Sequence, residues 1–332
     1  MAGPLKGYRV LDMSRILAGP WAGQLLADLG ADVVKIERPG CGDDTRHWGP
    51  PYLKDQDGNE TEDAAYFFCA NRGKKSVTID ITRSEGQDII RQLALQSDVL
   101  IENYKVGGLA KYGLDYSALK KINPKLIYCS ITGFGQTGPY ANRPGYDFLI
   151  QGMGGLMSIT GEPDSPDNKT AGPVKVGVAV TDLFTGLYAA NAIQGALLER
   201  HQSGVGQYID LALLDVQAAV LANQASNYLI GNLVPERLGN AHPNIVPYQA
   251  FATADSHIII AVGNDQQFAR FCKVIESPLM AEDPLYASNA NRVNNRQVLC
   301  DSISVSLRQK DSLHWLAAFE ANDVPCGPIN SI

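Results

Sequence analysis

The stretch Arg9-Val-Leu-Asp-Met-Ser-Arg-Ile-Leu-Ala-Gly-Pro-Trp-Ala-Gly-Gln-Leu-Leu-Ala-Asp-Leu-Gly-Ala-Asp-Val-Val-Lys-Ile-Glu37 decides the fold. Arg9 to Met13 is a short apolar strand, Pro20 to Leu29 sets apolar positions on one face of a helix, and Asp32 to Glu37 is a second strand. Strand, helix and strand in that order make a βαβ unit. A second unit follows: Ser76 to Ile81 alternates apolar residues at 77, 79 and 81, Thr82 with Glu85 has capping-box spacing, and Val99-Leu-Ile makes the next strand. Lys125 to Ile131 reads as a further buried strand. Strands alternating with helices predict an α/β fold, a doubly wound parallel sheet of Rossmann-like type with helices on both faces.

Beyond residue 200 the pattern changes. A long helix is expected from Ile209 to Leu229, followed by the loop-forming segment Gly239-Asn-Ala-His-Pro-Asn244, strands at Tyr248 to Ala252 and His257 to Val262, and mostly helical sequence after them. The expected organisation is a large α/β domain over 1–225, a linker and loop over 226–247, and a smaller α+β domain over 248–332.

Composition narrows the function. With 332 residues, 45% hydrophobic and 19% charged, the chain has a globular composition. Its net charge of -7 argues against a nonspecific nucleic-acid binder, which needs a basic surface. No apolar run reaches the roughly 20 residues of a membrane span, and no membrane partner is expected. The six cysteines stand far apart without a C-x-x-C pair, so the sequence indicates neither a zinc site nor a disulfide framework, and no metal is expected. A reducing compartment fits, and the N-terminus lacks a signal or transit pattern, so a cytoplasmic location is the expectation.

Gly133-Phe-Gly-Gln-Thr-Gly138 matches the dinucleotide-binding G-x-G-x-x-G. That fingerprint requires a helix starting within the glycines, whereas Pro139 and Pro144 follow here, so the segment reads as a loop. Arg38, Lys105 and Lys111 fall after strands, where ligands of open α/β sheets bind; Arg72, Lys74 and Lys75, beside Asn71, could reach an anion only from a loop. Each is otherwise a solvated surface charge. The histidines at 47, 201, 242, 257 and 314 form no recognisable triad, and His242 stands out only for its place in the loop. Val178-Ala-Val-Thr-Asp-Leu-Phe-Thr-Gly186 holds one carboxylate, Asp182, at the start of an amphipathic helix, where it reads as an N-cap.

As an ordered set, several segments resemble the class III (CaiB/BaiF) CoA-transferases, the family of formyl-CoA:oxalate and carnitine CoA-transferases. They are Leu11 to Pro20, Val34 to Pro39, Gly42 to Arg46, Asn71 to Ser76, Glu102 to Tyr104, Ile131 to Pro139 and Val178 to Asp182. Further on, Asn227 to Asn232, Ile245 to Phe251, Gly263 to Phe268 and Pro325 to Asn330 look most like the branch that includes succinyl-CoA:glutarate CoA-transferase. The resemblance implies the class III CoA-transferase fold and a transferase moving CoA from a donor such as succinyl-CoA to a (di)carboxylic acid. Coenzyme A or acyl-CoA would be substrate, with no permanently bound cofactor.

By the same resemblance Asp182 is the nucleophile, forming anhydride and aspartyl-CoA thioester intermediates, and Tyr146 matches a tyrosine near the reacting carboxylates. Ile16, Leu17 and Ala18 would form a backbone rim near the pantetheine. Arg38 and Lys75 would meet adenosine and phosphate, with Asn71 and Arg72 beside them. Asn103, Tyr104 and Lys111 would take the remainder, and Arg143 lies next to the position of a family lysine, which is Pro144 here. Gly239, Asn240, Ala241 and His242 match the loop that keeps water from the aspartate. The helix that carries Asp182 is expected to keep it ionised through its dipole, by roughly 0.3 to 1 kcal/mol, and its amides to stabilise an oxyanion.

Two other readings stay open. A racemase of the α-methylacyl-CoA type would share the fold, but its histidine in the Gly-x-Asp segment is replaced in Gly145-Tyr-Asp147. A non-catalytic CoA-binding or dimerising remnant is the other. Relatives continue past Gly327-Pro-Ile-Asn330 with a segment that returns to the large domain and is expected to be missing here. The family also implies an interlocked homodimer.

Overall fold

The computed structural model describes residues 3–164 and 172–332. The chain forms two compact units, Met1–Met157 with Lys175–Ser226, and Ser158–Val174 with Asn227–Ile332.

The first unit opens with β1 (Arg9–Asp12), α1 (Ala18–Asp28) and β2 (Asp32–Glu37), followed by a 3-10 turn at Asp44–His47. A small hairpin, β3 (Tyr52–Lys54) and β4 (Glu60–Ala64), leads to the single turn α2 (Ala65–Phe68) and then to β5 (Lys74–Thr78), α3 (Ser84–Leu95) and β6 (Val99–Glu102). After α4 (Tyr116–Ile122) and β7 (Ile127–Thr132) come α5 (Asp147–Met153), α6 (Val180–Ser203), β8 (Tyr208–Ala212), α7 (Leu213–Val220) and α8 (Ala222–Gly231), within which the first unit ends.

Six strands pair in parallel in the order β5-β2-β1-β6-β7-β8. The order reverses at β1, so β1 and β6, paired at Val10 and Val99, flank the switch point where such sheets open a crevice beyond their carboxyl ends. Side chains alternate across the sheet. Val10, Val33, Val99 and Ile101 point to the face covered by α1 and α6, while Leu11, Ile36 and Leu100 point to the face covered by α3 and α4. Burial on both faces explains why Val99-Leu-Ile of β6 is a continuous apolar run.

The α1–α6 contact is close because Gly186 has no side chain: a Cβ there would stand 2.8 Å from both the Ala18 carbonyl oxygen and Trp21 Cδ1. Two ion pairs lie under the carboxyl end of β1. Lys74 Nζ meets Asp12 at 2.8 Å and Lys35 Nζ meets Asp43 at 2.9 Å, all four side chains being buried.

Three local expectations are corrected. The helix expected over Ile209 to Leu229 is strand β8 followed by α7 and α8. Thr82 and Glu85 form no capping box: α3 begins at Ser84, and the Thr82 hydroxyl donates instead to Asp80 at 2.6 Å. The strand expected from Ser76 to Ile81 is β5, Lys74–Thr78.

The second unit holds β9 (Tyr248–Ala252), β10 (His257–Ala261), α9 (Asp265–Val274), α10 (Asn289–Asn294), α11 (Arg296–Leu307), α12 (Ser312–Glu320) and β11 (Cys326–Pro328). Its strands pair antiparallel in the order β11-β10-β9. Its core joins aliphatic side chains to an aromatic cluster in which Phe271 stacks on Phe319 at 5.4 Å. Arg292, fully buried, donates to the Val246 and Tyr286 carbonyl oxygens and pairs with Asp265 at 2.7 Å.

Candidate active site

A cavity of about 560 Å³ opens beyond the carboxyl ends of β1, β6 and β7. The turn after β1 supplies Ile16, Leu17 and Ala18, the turn after β6 supplies Asn103 and Tyr104, and Arg143, Tyr146 and Asp182 complete the wall. A second cavity of about 360 Å³ shares Arg15, Asp44, Tyr104 and Lys105 with it and adds Arg38 and Lys111.

The rim after β1 is held from beneath. Ile16 adopts φ 72°, a left-handed conformation that a β-branched residue takes only when its surroundings impose it. Its amide donates to both oxygens of Asp43 at 3.3 Å, and Lys35, the ion-pair partner of Asp43, donates to the Ser14 carbonyl oxygen at 2.9 Å. From the other side Asn103 grips the backbone of Arg15, accepting from its N–H at 2.9 Å and donating to its carbonyl oxygen at 2.7 Å. The Asn103 amide thus shapes the rim of the cavity it lines.

Asp182 is the third residue of α6, not its cap. The N-cap position is Ala179, which offers no side-chain bond. Asp147, from the start of α5, caps the helix instead: its Oδ1 accepts from the amides of Thr181 at 2.8 Å and Asp182 at 3.2 Å. The Asp182 carboxylate accepts no hydrogen bond from any described residue and is half-buried in the cavity wall. Burial first, and then the neighbouring Asp147 charge, push its carboxyl up to about 7. Burial and the Asp147 charge thus act against the helix dipole expected to keep Asp182 ionised.

The cations separate into two groups. Arg72 is held bidentately by Asp28, and Lys75 pairs with Asp32 at 2.6 Å; both lie outside the two cavities. Asn71 is also engaged elsewhere, donating to the Phe67 carbonyl oxygen and accepting from Lys74. Arg38, Lys105, Lys111 and Arg143 are exposed along the cavities and form no ion pair with a described residue. Arg38 Nε donates to Cys41 Sγ at 2.7 Å, and Arg143 lies over the Tyr140 ring at 4.6 Å. Four cations with no ion-pair partner among the described residues, beside one continuous lining, suit a ligand with several negative charges.

Tyr146 is 64% exposed at the start of α5, beside Arg143 and within the same wall. Tyr66 on α2 escaped the sequence reading. Burial and then the charge of Asp182 push its phenol up to about 12, and its ring meets Trp48, a further wall residue, at 5.2 Å.

Gly239, Asn240, Ala241 and His242 belong to the second unit. Gly239 has φ 57° and donates to the Gly161 carbonyl oxygen at 3.0 Å; His242 donates its amide to the Tyr248 carbonyl oxygen, and its Nδ1 accepts from the Asn244 amide. Burial and then the Arg296 charge hold the His242 imidazole below its usual range. Among the described residues no His, Cys, Asp and Glu group has metal-site geometry, and no helix is long and apolar enough to cross a membrane.

The family model for CoA-transferase family III matches residues 5–332. The chain is 56% identical over 329 residues to a succinate–glutarate CoA-transferase of Agrobacterium fabrum, covering 99% of this chain and 80% of that protein. It is 46% identical to the succinyl-CoA:glutarate CoA-transferase of Homo sapiens, over 99% of this chain and 72% of that one. The crystal structure of a CAIB/BAIF family protein from Brucella suis superposes with a TM-score of 0.86 at 52% identity, covering all of this chain and 85% of that one.

Proposed function

Since the chain belongs to CoA-transferase family III, we propose that it moves CoA from an acyl-CoA such as succinyl-CoA to a dicarboxylate, with Asp182 as the covalent nucleophile. One observation carries this reading: among the described residues, a half-buried carboxylate with no hydrogen-bond partner faces a cavity continuous with a row of cations that form no ion pair.

An Asp182 oxygen attacks the thioester carbonyl, the C–S bond breaks, and CoA leaves as the thiolate, giving a mixed anhydride. The thiolate then attacks the aspartyl carbonyl, expels the donor acid as carboxylate and forms an aspartyl-CoA thioester. The acceptor carboxylate attacks that thioester, CoA thiolate leaves again, and a second anhydride forms. Attack of the thiolate on its acceptor carbonyl yields the new acyl-CoA and restores Asp182. No net proton is consumed, and the carboxylate keeps every intermediate at the acyl level. A carboxyl pushed up to about 7 is a more basic nucleophile than an ordinary aspartate and is mostly ionised at pH 8.

We assign Arg38, Lys105 and Lys111 to the phosphates of CoA, and Ile16 to Ala18 with Tyr104 to the pantetheine arm between them and Asp182. Tyr146 and Arg143, near Asp182 in the wall, are assigned to the acids. The reading includes a cytoplasmic homodimer of interlocked chains; exposed apolar side chains at Leu229 (76%), Ile230 (85%) and Val234 (73%) suit burial by a second copy.

Incubation with succinyl-CoA and a panel of carboxylic acids, followed by mass spectrometry of the acyl-CoA pool, tests the activity. Hydroxylamine should convert the aspartyl thioester to a hydroxamate at Asp182 in the wild type and leave Asp182→Ala unmodified. Normal CoA binding without transfer to any acid would refute the proposal.

A further inference from the structure

The transfer mechanism leaves one charged group beside Asp182 without a task. Asp147 Oδ1 accepts the Thr181 and Asp182 amides, and its Oδ2 accepts from Gln151 Nε2 at 2.6 Å. Gln151, fully buried on the same helix, accepts in turn from the Val176 amide at 2.9 Å. On the far side the Thr181 hydroxyl donates to Gln217 of α7 at 2.6 Å, again fully buried. The first turn of α6 is thereby held from α5 and α7 rather than by its own N-cap, Ala179.

We infer that Asp147 is a positioning residue for the transfer reaction, one that seats Asp182 by capping α6 from outside and sets the charge beside which Asp182 works. The inference rests on the assignment of Asp182 as nucleophile. Its geometry is independent of that assignment, because a cap normally comes from the residue that precedes the helix and here comes from 35 residues away. The two amides nearest Asp182 are occupied, so they are withheld both from the Asp182 carboxylate and from an oxyanion formed on attack.

Among the described residues no other group adds a negative charge that acts on Asp182; Asp44, in the lining of the same cavity, is paired with Arg15 at 2.8 Å. Tyr66 on α2 carries a neutral phenol, and α7 presents the neutral amide of Gln217 to the turn. Tyr146 lines the cavity, and the Arg143 guanidinium stacks on Tyr140. Burial and then Asp147 push the Asp182 carboxyl upward, as a carboxylate neighbour should.

Asp147→Asn keeps an oxygen for the two amides while removing the charge, and Asp147→Ser is a second neutral cap. The readout is carbodiimide labelling of Asp182, which needs the protonated carboxyl, followed by peptide mass spectrometry across pH 4.5–9. In the wild type, labelling should fall through about pH 7. In either variant the midpoint should move down by about one pH unit. The acid limb of kcat/KM should follow it, with kcat lowered about tenfold and KM for acyl-CoA within about twofold of wild type.

An unmoved labelling midpoint in a folded variant overturns the inference. So does loss of the fold in both variants, which would make Asp147 a determinant of folding alone. If the wild type transfers no CoA, the proposed function fails, while the labelling still decides the role of Asp147.

Discussion

Replacing Asp182 by Asn should abolish transfer and at the same time stabilise the protein, by an amount that grows from the ordinary carboxyl value of 3.8 and is complete above about 7. In the folded chain its carboxyl is pushed from the ordinary 3.8 to about 7. The direction fixes the sign. Below 3.8 the group is protonated in both folded and unfolded chains and contributes no pH dependence. As pH rises toward 7 the unfolded chain releases a proton that the folded chain retains, so stability is lost progressively, and above 7 the loss is complete. About three pH units at ~1.36 kcal/mol each set an upper bound of about 4 kcal/mol. Because Asp182 is only half-buried and borders an open cavity, screening should reduce this to about 2 kcal/mol. Asn cannot ionise, and it forfeits no hydrogen bond, since the Asp182 carboxylate accepts none from the described residues. Paired urea titrations of wild type and Asp182→Asn at pH 4.5, 6 and 8 should show a stability gain that grows with pH, and a melting temperature higher by about 4 °C at pH 8. An unchanged or lower stability at pH 8, or a gain of equal size at every pH, would refute the reasoning.

The packing and charge around the cavities set four further outcomes. Lys74→Met strands Asp12 in a buried site and should cost about 3 to 5 kcal/mol in urea unfolding, with much of the loss recovered in Asp12→Leu/Lys74→Met. Gly186→Ala forces a methyl group against the Ala18 carbonyl oxygen and Trp21; it should cost about 1 to 3 kcal/mol in thermal unfolding and lower kcat by shifting the rim formed by Leu17 and Ala18. Arg38→Ala and Lys111→Ala should each raise KM for acyl-CoA about tenfold with little change in kcat, an effect that shrinks as salt rises. Arg72→Ala, which removes an exposed pair with Asp28, should leave both KM and the urea midpoint unchanged.

The βαβ units could be read from the sequence because burial on both sheet faces makes Val10 to Met13 and Val33 to Ile36 predominantly apolar over strand length, each interrupted by one charge, Asp12 or Lys35, that is buried in an ion pair. Strand β8 is hidden by the helix that adjoins it. Tyr208-Ile-Asp-Leu-Ala alternates in burial, but Leu213-Leu-Asp-Val continues it with helical spacing and draws the whole stretch toward a helix. Thr82 shows the limit of a local motif: its spacing to Glu85 fits a capping box, yet the nearer carboxylate of Asp80 takes its hydroxyl. At the site, residue type located Arg38, Lys111 and Asp182 but could not tell bound cations from unpaired ones. The carboxylates that occupy Arg72 and Lys75 lie 44 and 43 residues away, and only the fold brings Asp28 and Asp32 to them.

The same distance in sequence hid the feature that most changes the reading of Asp182. A carboxylate at the start of a helix is expected to be stabilised by the dipole and to sit low in the carboxylate range. For a nucleophile that must attack a thioester, that stabilisation is a disadvantage, because it lowers the basicity of the attacking oxygen. Capping α6 with Asp147 resolves the conflict. The helix still fixes where Asp182 stands, since its backbone amide and that of Thr181 are both held. Its positive end, however, faces a different carboxylate, leaving Asp182 without hydrogen bonds from described residues and next to a like charge. Each of those conditions raises the free energy of the ionised form before attack, and neutralisation of that charge in the anhydride removes the penalty. The destabilisation that Asp182→Asn should relieve and the nucleophilicity that the transfer requires therefore have one structural origin.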